Sequence, residues 1–251
     1  MTDLERAKRE ILHGRMLAEL DTEMVWGWGT PAGRARSLRR GQRISDGARL
    51  APGLSVLEIG CGTGLFTEMF AATGAKIVAI DVSPHLLEKA LRRNLPPDRV
   101  RFIEFRLEDC GRLGSFDAVI GSSVLHHLDL RSALLHIRRL LKPGGRLSFA
   151  EPNMLNPQVC MEKALRRIRP LFPHTLRHER AFVRGRLQAE LLAAGFQDSR
   201  IAPMDWLHPL VPWQLIPTVT KLEAVLERAP VVREFAGSLY LSARRGGDDD
   251  R

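Results

Sequence analysis

Residues 56–64 read VLEIGCGTG, and residues 78–84 read VAIDVSP. Gly60, Gly62 and Gly64 follow one apolar run and precede LFTEMFAAT, so a strand, a turn and a helix succeed one another. Such a turn aims free backbone N–H groups and the positive end of a helix at its occupant. With Asp81 closing the second apolar run, the pattern is how many nucleotide-like sites begin. Spacing discriminates between ligands. A dinucleotide site needs G-x-G-x-x-G, but position 65 is leucine, and the lysine of a phosphate-binding loop is missing. G-x-G-x-G preceded by Glu58 suits a ligand without a pyrophosphate, its amino-acid portion lying along the turn.

The elements that must position these residues alternate between strand and helix, as in parallel α/β proteins. SVLEIG is a strand, and LFTEMFAAT a helix stopped by Gly74. KIVAID is a second strand, after which Ser83 and Pro84 supply the cap and first position of a helix reaching about Arg93. RVRFIEFR and FDAVIGS are the third and fourth strands. Asp129 caps a helix through Leu141, and Lys142-Pro143-Gly144-Gly145 turns the chain into a fifth strand, RLSFAE. Upstream, residues 3–21 read as an amphipathic helix, VWGWGTPAG as a loop, and 34–50 as a basic helix. Downstream, residues 152–180 contain a basic helical piece, EKALRRIR, and 186–194 form a helix before a strand near Phe196–Ile201. MDWLHPLVPWQLIPTV (204–219), in a less regular region, reads as an apolar, proline-rich stretch bearing two tryptophans. SLYLSAR (238–244) is a final strand, and the polar tail 246–251 is expected to be disordered.

Composition narrows the class. The 251 residues, 44% of them hydrophobic, suffice for one large domain with a substantial core. No apolar run is long enough for a spanning helix, and MTDLERAKREIL lacks the apolar segment of a secretory signal. Cys61, Cys110 and Cys160 share no CxxC spacing, which argues against a zinc cluster or disulfide framework and suits a cytoplasmic protein. The net charge of +9 comes from arginine, since only six of the 38 basic residues are lysine. Such a surface attracts RNA, anionic lipid or an acidic metabolite, but the same excess arises from the compositional habit of a genome.

VLEIGCGTG, VAIDVS, FDAVIGSSVLHHL and LLKPGGRLSFAEPN, in that order and at those separations, resemble the class I S-adenosylmethionine-dependent methyltransferases. The resemblance spans residues 50–150 and, more loosely, 186–244. It implies a Rossmann-like, doubly wound seven-stranded sheet, mostly parallel with an antiparallel last strand. It also implies helical lid additions: an N-terminal lid (1–50) on a methyltransferase domain (51–245), with acceptor-side insertions near 152–185 and 203–236. S-adenosyl-L-methionine is the implied cofactor. Gly60, Cys61, Gly62 and Gly64 would then approach the methionine portion and Glu58 its ammonium. Asp81 would receive the ribose hydroxyls, and Val82 and Leu86 would pack on the adenine. Asp109, with the Cys110 backbone nearby, would receive the adenine amino group, Glu108 being the alternative. Ser122 and Ser123 would stand beside the sulfonium. Against these roles, Glu58 in a merely structural part would only cap the turn.

Methyl transfer from a sulfonium is an in-line displacement that asks mainly for positioning, and a general base helps when the nucleophile is a hydroxyl. His126 and His127, just after the fourth strand, are the base candidates; adjacent side chains diverge, so at most one faces the substrate. The alternative is that the pair only shapes its loop. Glu151 and Asn153 stand at the mouth of the fifth strand, where they would line an acceptor pocket or, with Pro152, form a turn. His136 reads as a packed or solvated helix residue. No metal ligands cluster, and metal-free transfer is the reading. Trp26, Trp28, Trp206 and Trp213 would wall the pocket of a ring-bearing or lipid-like acceptor, or else glue the lid to the core. An exposed WLHPLVPWQLIP would also suit transient contact with a membrane surface.

The function expected is methyl transfer to a small molecule, oxygen ahead of carbon or nitrogen. RNA is the alternative acceptor, drawing on the arginines at 34–43 and 166–186. Gly-Ser-Ser-Val after the fourth strand lacks the Asn/Asp-Pro-Pro-aromatic motif of amino-group methylators, and few aromatics are available for base stacking. A donor-binding module without turnover is the other alternative.

Overall fold

The structure is a computed structural model that describes residues 3–164 and 181–247. Part of EKALRRIR and the tail beyond residue 247 lie outside the described residues. The strands are β1 (Ser55–Ile59), β2 (Lys76–Asp81), β3 (Val100–Glu104), β4 (Phe116–Ser122), β5 (Leu141–Pro152), β6 (Phe196–Met204) and β7 (Ser238–Arg245). They form one seven-stranded sheet in the order β3-β2-β1-β4-β5-β7-β6. Only β7 runs antiparallel to its neighbours, the doubly wound arrangement expected. The inner strands are apolar on both faces because helices cover both.

The helices are α1 (Asp3–Ala18), α2 (Thr22–Val25), α3 (Pro31–Ala48), α4 (Leu65–Ala71), α5 (Pro84–Leu91), α6 (Leu130–Leu140), α7 (Pro157–Ala164), α8 (Arg184–Ala193) and α9 (Ile216–Leu226). One face of the sheet packs on α3, α4 and α5 through Ile44, Phe70 and Leu87. The other packs on α6 and α8 through Leu134, Ile137, Leu187 and Leu191. On α6 those apolar residues recur every three or four positions, the helical period, so one stripe is buried while its arginines stay at the surface.

Two boundaries differ from the sequence reading. Thr30 accepts a hydrogen bond from Gly33 N–H at 3.0 Å, and Pro31 takes the first helical position, so α3 starts inside the segment expected to be loop. The proline-rich stretch, read as less regular, ends in α9. Its Pro217 sits in the first turn, where a missing N–H breaks no helical bond.

Register gathers the ends of these strands. Ile59 pairs with Ile80 and Gly121, Ala150 with Ser122, and Ser238 with both Pro152 and Met204. The glycine turn, Asp81, Ser122, Glu151, Asp205 and the start of β7 therefore share one edge of the sheet. Helix α1 packs on α5 above that edge. It comes so close because Gly14 has no side chain: a Cβ there would lie 2.2 Å from Ser83 Oγ.

Candidate active site

A cavity of about 600 Å³ opens over this edge. Its floor is the turn of Gly60, Cys61 and Gly62. Gly60, Gly62 and Gly64 all have positive φ, at 67°, 54° and 76°, a region L-residues with a Cβ avoid. Gly64 instead packs under α5 and Arg93, outside the cavity. Asp81 accepts hydrogen bonds from Gly62 N–H and Ser83 N–H, both at 2.9 Å. Burial raises its pKa, and those two donors restrain the rise. Val82 and Leu86 line the same end.

Glu58 lies beneath the turn, 2% exposed, and its Oε2 has no hydrogen-bond partner. Burial drives its pKa up to about 8, with Thr67 opposing and the Asp81 charge adding to the rise. Glu108 lines the cavity, whereas Asp109 pairs with Arg106 at 2.7 Å, and Cys110 is packed into the core. The alternative carboxylate, not Asp109, therefore faces the ligand space.

Across the cavity stand Ser122, Ser123, His126 and His127. Glu151 and Asn153 do not line it. Asn153 donates through Nδ2 to the Glu234 and Ala236 carbonyls at 2.8 Å, which ties β5 to the segment before β7. Glu151, fully buried, accepts from Val124 N–H and Leu125 N–H at 2.9 Å through one oxygen, and meets His126 Nδ1 at 2.8 Å through the other. Burial alone would raise its pKa; the His126 hydrogen bond and charge, with the two amides, hold it below the usual value. Because a carboxylate only accepts, Nδ1 carries the hydrogen in this pair. His127 instead meets Glu10 of α1 at 3.0 Å, and His136 bonds the Ser132 carbonyl within α6.

Trp26, Trp28 and Trp206 line the cavity, while Trp213 is 68% exposed and lies outside it. Trp28 meets Phe66 edge-on with ring centroids 5.5 Å apart, so it serves both wall and core. Exposed with Trp213 are Leu210, Leu215, Val225 and Val231. Among the described residues no three His, Cys, Asp or Glu side chains are grouped to hold a metal ion, and no helix is long and apolar enough to cross a membrane.

Sequence reasoning missed Arg36, Arg40 and Asp205. Arg40 is buried and donates to Ser123 Oγ at 2.9 Å, Ser122 Oγ at 3.3 Å, Asp205 Oδ2 at 2.5 Å and Ser238 Oγ. Its signal was present in the spacing. Arg40 falls on the helix stripe of Gly33, Ser37, Ile44 and Ala48, which is buried.

A family model described as a methyltransferase domain matches residues 57–147. The chain is 34% identical over 164 residues to a ubiquinone biosynthesis O-methyltransferase of Xanthomonas axonopodis pv. citri (strain 306), covering 62% of this chain and 69% of that protein. The chain belongs to the class I S-adenosylmethionine-dependent methyltransferases. A protein of the same name from Xanthomonas oryzae pv. oryzae (strain PXO99A) is 38% identical to the methyltransferase over 105 residues, or 40% of this chain and 44% of that one. Against this second relative the chain thus spans under half the length. The DhpI–SAH complex shares the fold at a TM-score of 0.64 and 21% identity, covering 98% of the methyltransferase and 99% of that chain.

The site fits the methyltransferase's donor on its own geometry: a turn without Cβ atoms at Gly60 and Gly62, an unpartnered oxygen of the buried Glu58 beneath it, behind the cavity lining, and an acid at the neighbouring strand end. A Cβ on Gly62 would lie 3.0 Å from the Trp26 ring. Gly62→Val places a branched side chain there at positive φ. The methyltransferase carrying it is expected to bind S-adenosylhomocysteine about tenfold or more weakly, 1.4 kcal/mol. Calorimetry on the folded variant checks this, and wild-type affinity would refute the turn as the ligand's seat.

Proposed function

We propose that this enzyme methylates a hydroxyl group of a small, ring-bearing acceptor, with His126 as the general base and Glu151 as the residue that orients it. The observation that carries the reading is the contact between His126, which lines the cavity, and the buried Glu151 behind it. The donor supplies an activated methyl group on a sulfonium. Gly60, Cys61 and Gly62 would hold its amino-acid portion, Glu58 its ammonium and Asp81 its ribose hydroxyls. Val82 and Leu86 would flank the adenine, with Glu108 at its amino group. On the other side, Glu151 fixes the imidazole with Nδ1 protonated, the tautomer whose second nitrogen carries the lone pair that would take the hydroxyl proton. Trp26, Trp28 and Trp206 would hold the acceptor ring and exclude water. A base is wanted by an oxygen nucleophile, and the Xanthomonas relative's name supports oxygen. The reading asks no metal, nucleic acid or membrane anchor of the protein and sets it in the cytoplasm. Transient contact with a membrane surface, if the exposed Trp213 stretch makes one, is peripheral to it.

The test is to incubate the enzyme with the donor and a panel of phenols, catechols and amines while following S-adenosylhomocysteine. O-methyl products are expected; exclusive N- or C-methylation would overturn the oxygen assignment. Asp81→Ala should weaken donor binding by about 1–3 kcal/mol, roughly five- to 150-fold in Kd. Unchanged affinity by calorimetry would count against the ribose role.

A further inference from the structure

Two guanidinium groups and one carboxylate share the acceptor end of the cavity. Arg36 and Arg40, one turn apart on α3, lie over the Trp28 ring with their central carbons 4.7 and 5.0 Å from its centroid. Asp205, fully enclosed, is engaged by Arg40 at 2.5 Å; Arg36 Nε stands 3.4 Å from the same oxygen, and that N–H makes no hydrogen bond. The next carboxylate, Glu223, is committed elsewhere, to Arg39 at 2.6 Å and to Trp206 N–H at 2.7 Å. Arg40 also spends its donors on Ser122, Ser123 and Ser238. Arg36 is left as a cationic wall of the cavity, beside Trp28 and Trp206.

We infer that Arg36 anchors an anionic group on the acceptor, a carboxylate being the match for its planar fork, while Trp28 and Trp206 face the ring. Burial lowers the Arg36 pKa, the Asp205 charge opposes this, the Arg40 charge adds to it, and Glu223 opposes it from farther off. The donor has a carboxylate too, so position decides between them. Asp205 follows β6 and Ser238 opens β7, so the cluster stands over the β4-β5-β7-β6 half of the sheet, whereas Asp81 and the glycine turn lie on β2 and β1. The inference rests on the methyl-transfer reading above.

Calorimetry separates the possibilities. Arg36→Met keeps the aliphatic stem and should leave S-adenosylhomocysteine affinity within roughly threefold of wild type, which also shows that the variant folds. In the wild-type complex with S-adenosylhomocysteine, at least one of the three hydroxybenzoate isomers should bind roughly tenfold more tightly than phenol. That preference should vanish in Arg36→Met and return in part in Arg36→Lys. The inference is overturned if no isomer outbinds phenol. It is overturned equally if Arg36→Met loses affinity for S-adenosylhomocysteine but not for 5′-methylthioadenosine, which would hand Arg36 to the donor's carboxylate. Wild-type protein that binds no S-adenosylhomocysteine would instead bring down the methyl-transfer reading itself.

Discussion

Glu151→Gln is expected to lower kcat by about 10²- to 10⁴-fold, the contribution of a positioned general base, while leaving S-adenosylhomocysteine affinity nearly unchanged. An amide still offers an oxygen to the Val124 and Leu125 N–H groups, so the loop keeps its anchor. What changes is the partner of His126 Nδ1. If the amide NH₂ takes that place, Nδ1 must accept, and the hydrogen moves to the other nitrogen, the one meant to receive the substrate proton. His126→Ala should cost about as much, and the double variant little more, since residues that act as one unit are not additive. The discriminating readout is the pH–rate profile, whose acid limb should disappear in Glu151→Gln. A purely structural glutamate would show lost stability with the limb intact, and a kcat that barely moves would sink the base assignment.

Asp205→Asn should destabilise the fold by about 3–5 kcal/mol, the cost of leaving a buried cation without its partner. With roughly 2–4 °C per kcal/mol for a chain of this size, the melting temperature should fall by about 6–20 °C. The pH dependence has a definite sign. Burial alone would raise the Asp205 pKa, but the Arg40 and Arg36 charges outweigh it and hold the carboxyl well below the usual carboxylate range. Its folded pKa is therefore below its unfolded one. The contribution is complete above the ordinary value near 4 and drains away as pH falls through the lower folded value. Thermal melts at descending pH should show a steeper loss in wild type than in Asp205→Asn. Melting temperatures that coincide at neutral pH would mean that the asparagine satisfies Arg40 as well as the carboxylate does.

The parts of the site legible in the sequence are those built from contiguous residues. The glycine turn, Asp81 and the serines after β4 are each fixed by a strand and the few residues that follow it, so pattern and spacing place them. The parts that were missed join distant stretches. Arg40 meets Asp205 across 165 positions, and α3 was read only as a basic helix because nothing near it in sequence announces a buried carboxylate. Glu151 was placed correctly at the sheet edge, but its direction was misjudged. The loop after β4 offers two N–H groups and the inner nitrogen of a histidine that lines the cavity, and a carboxylate turns toward donors in preference to open space. Asp109 failed in the opposite way, captured by Arg106 three residues before it.

The reversed strand sets an order of events during synthesis. Since β6 joins the sheet only through β7, everything the ribosome has made before residue 238 must wait with one strand unattached and Arg40 lacking its last serine. The acceptor end of the pocket is thus complete only once β7 has entered the sheet beside β5.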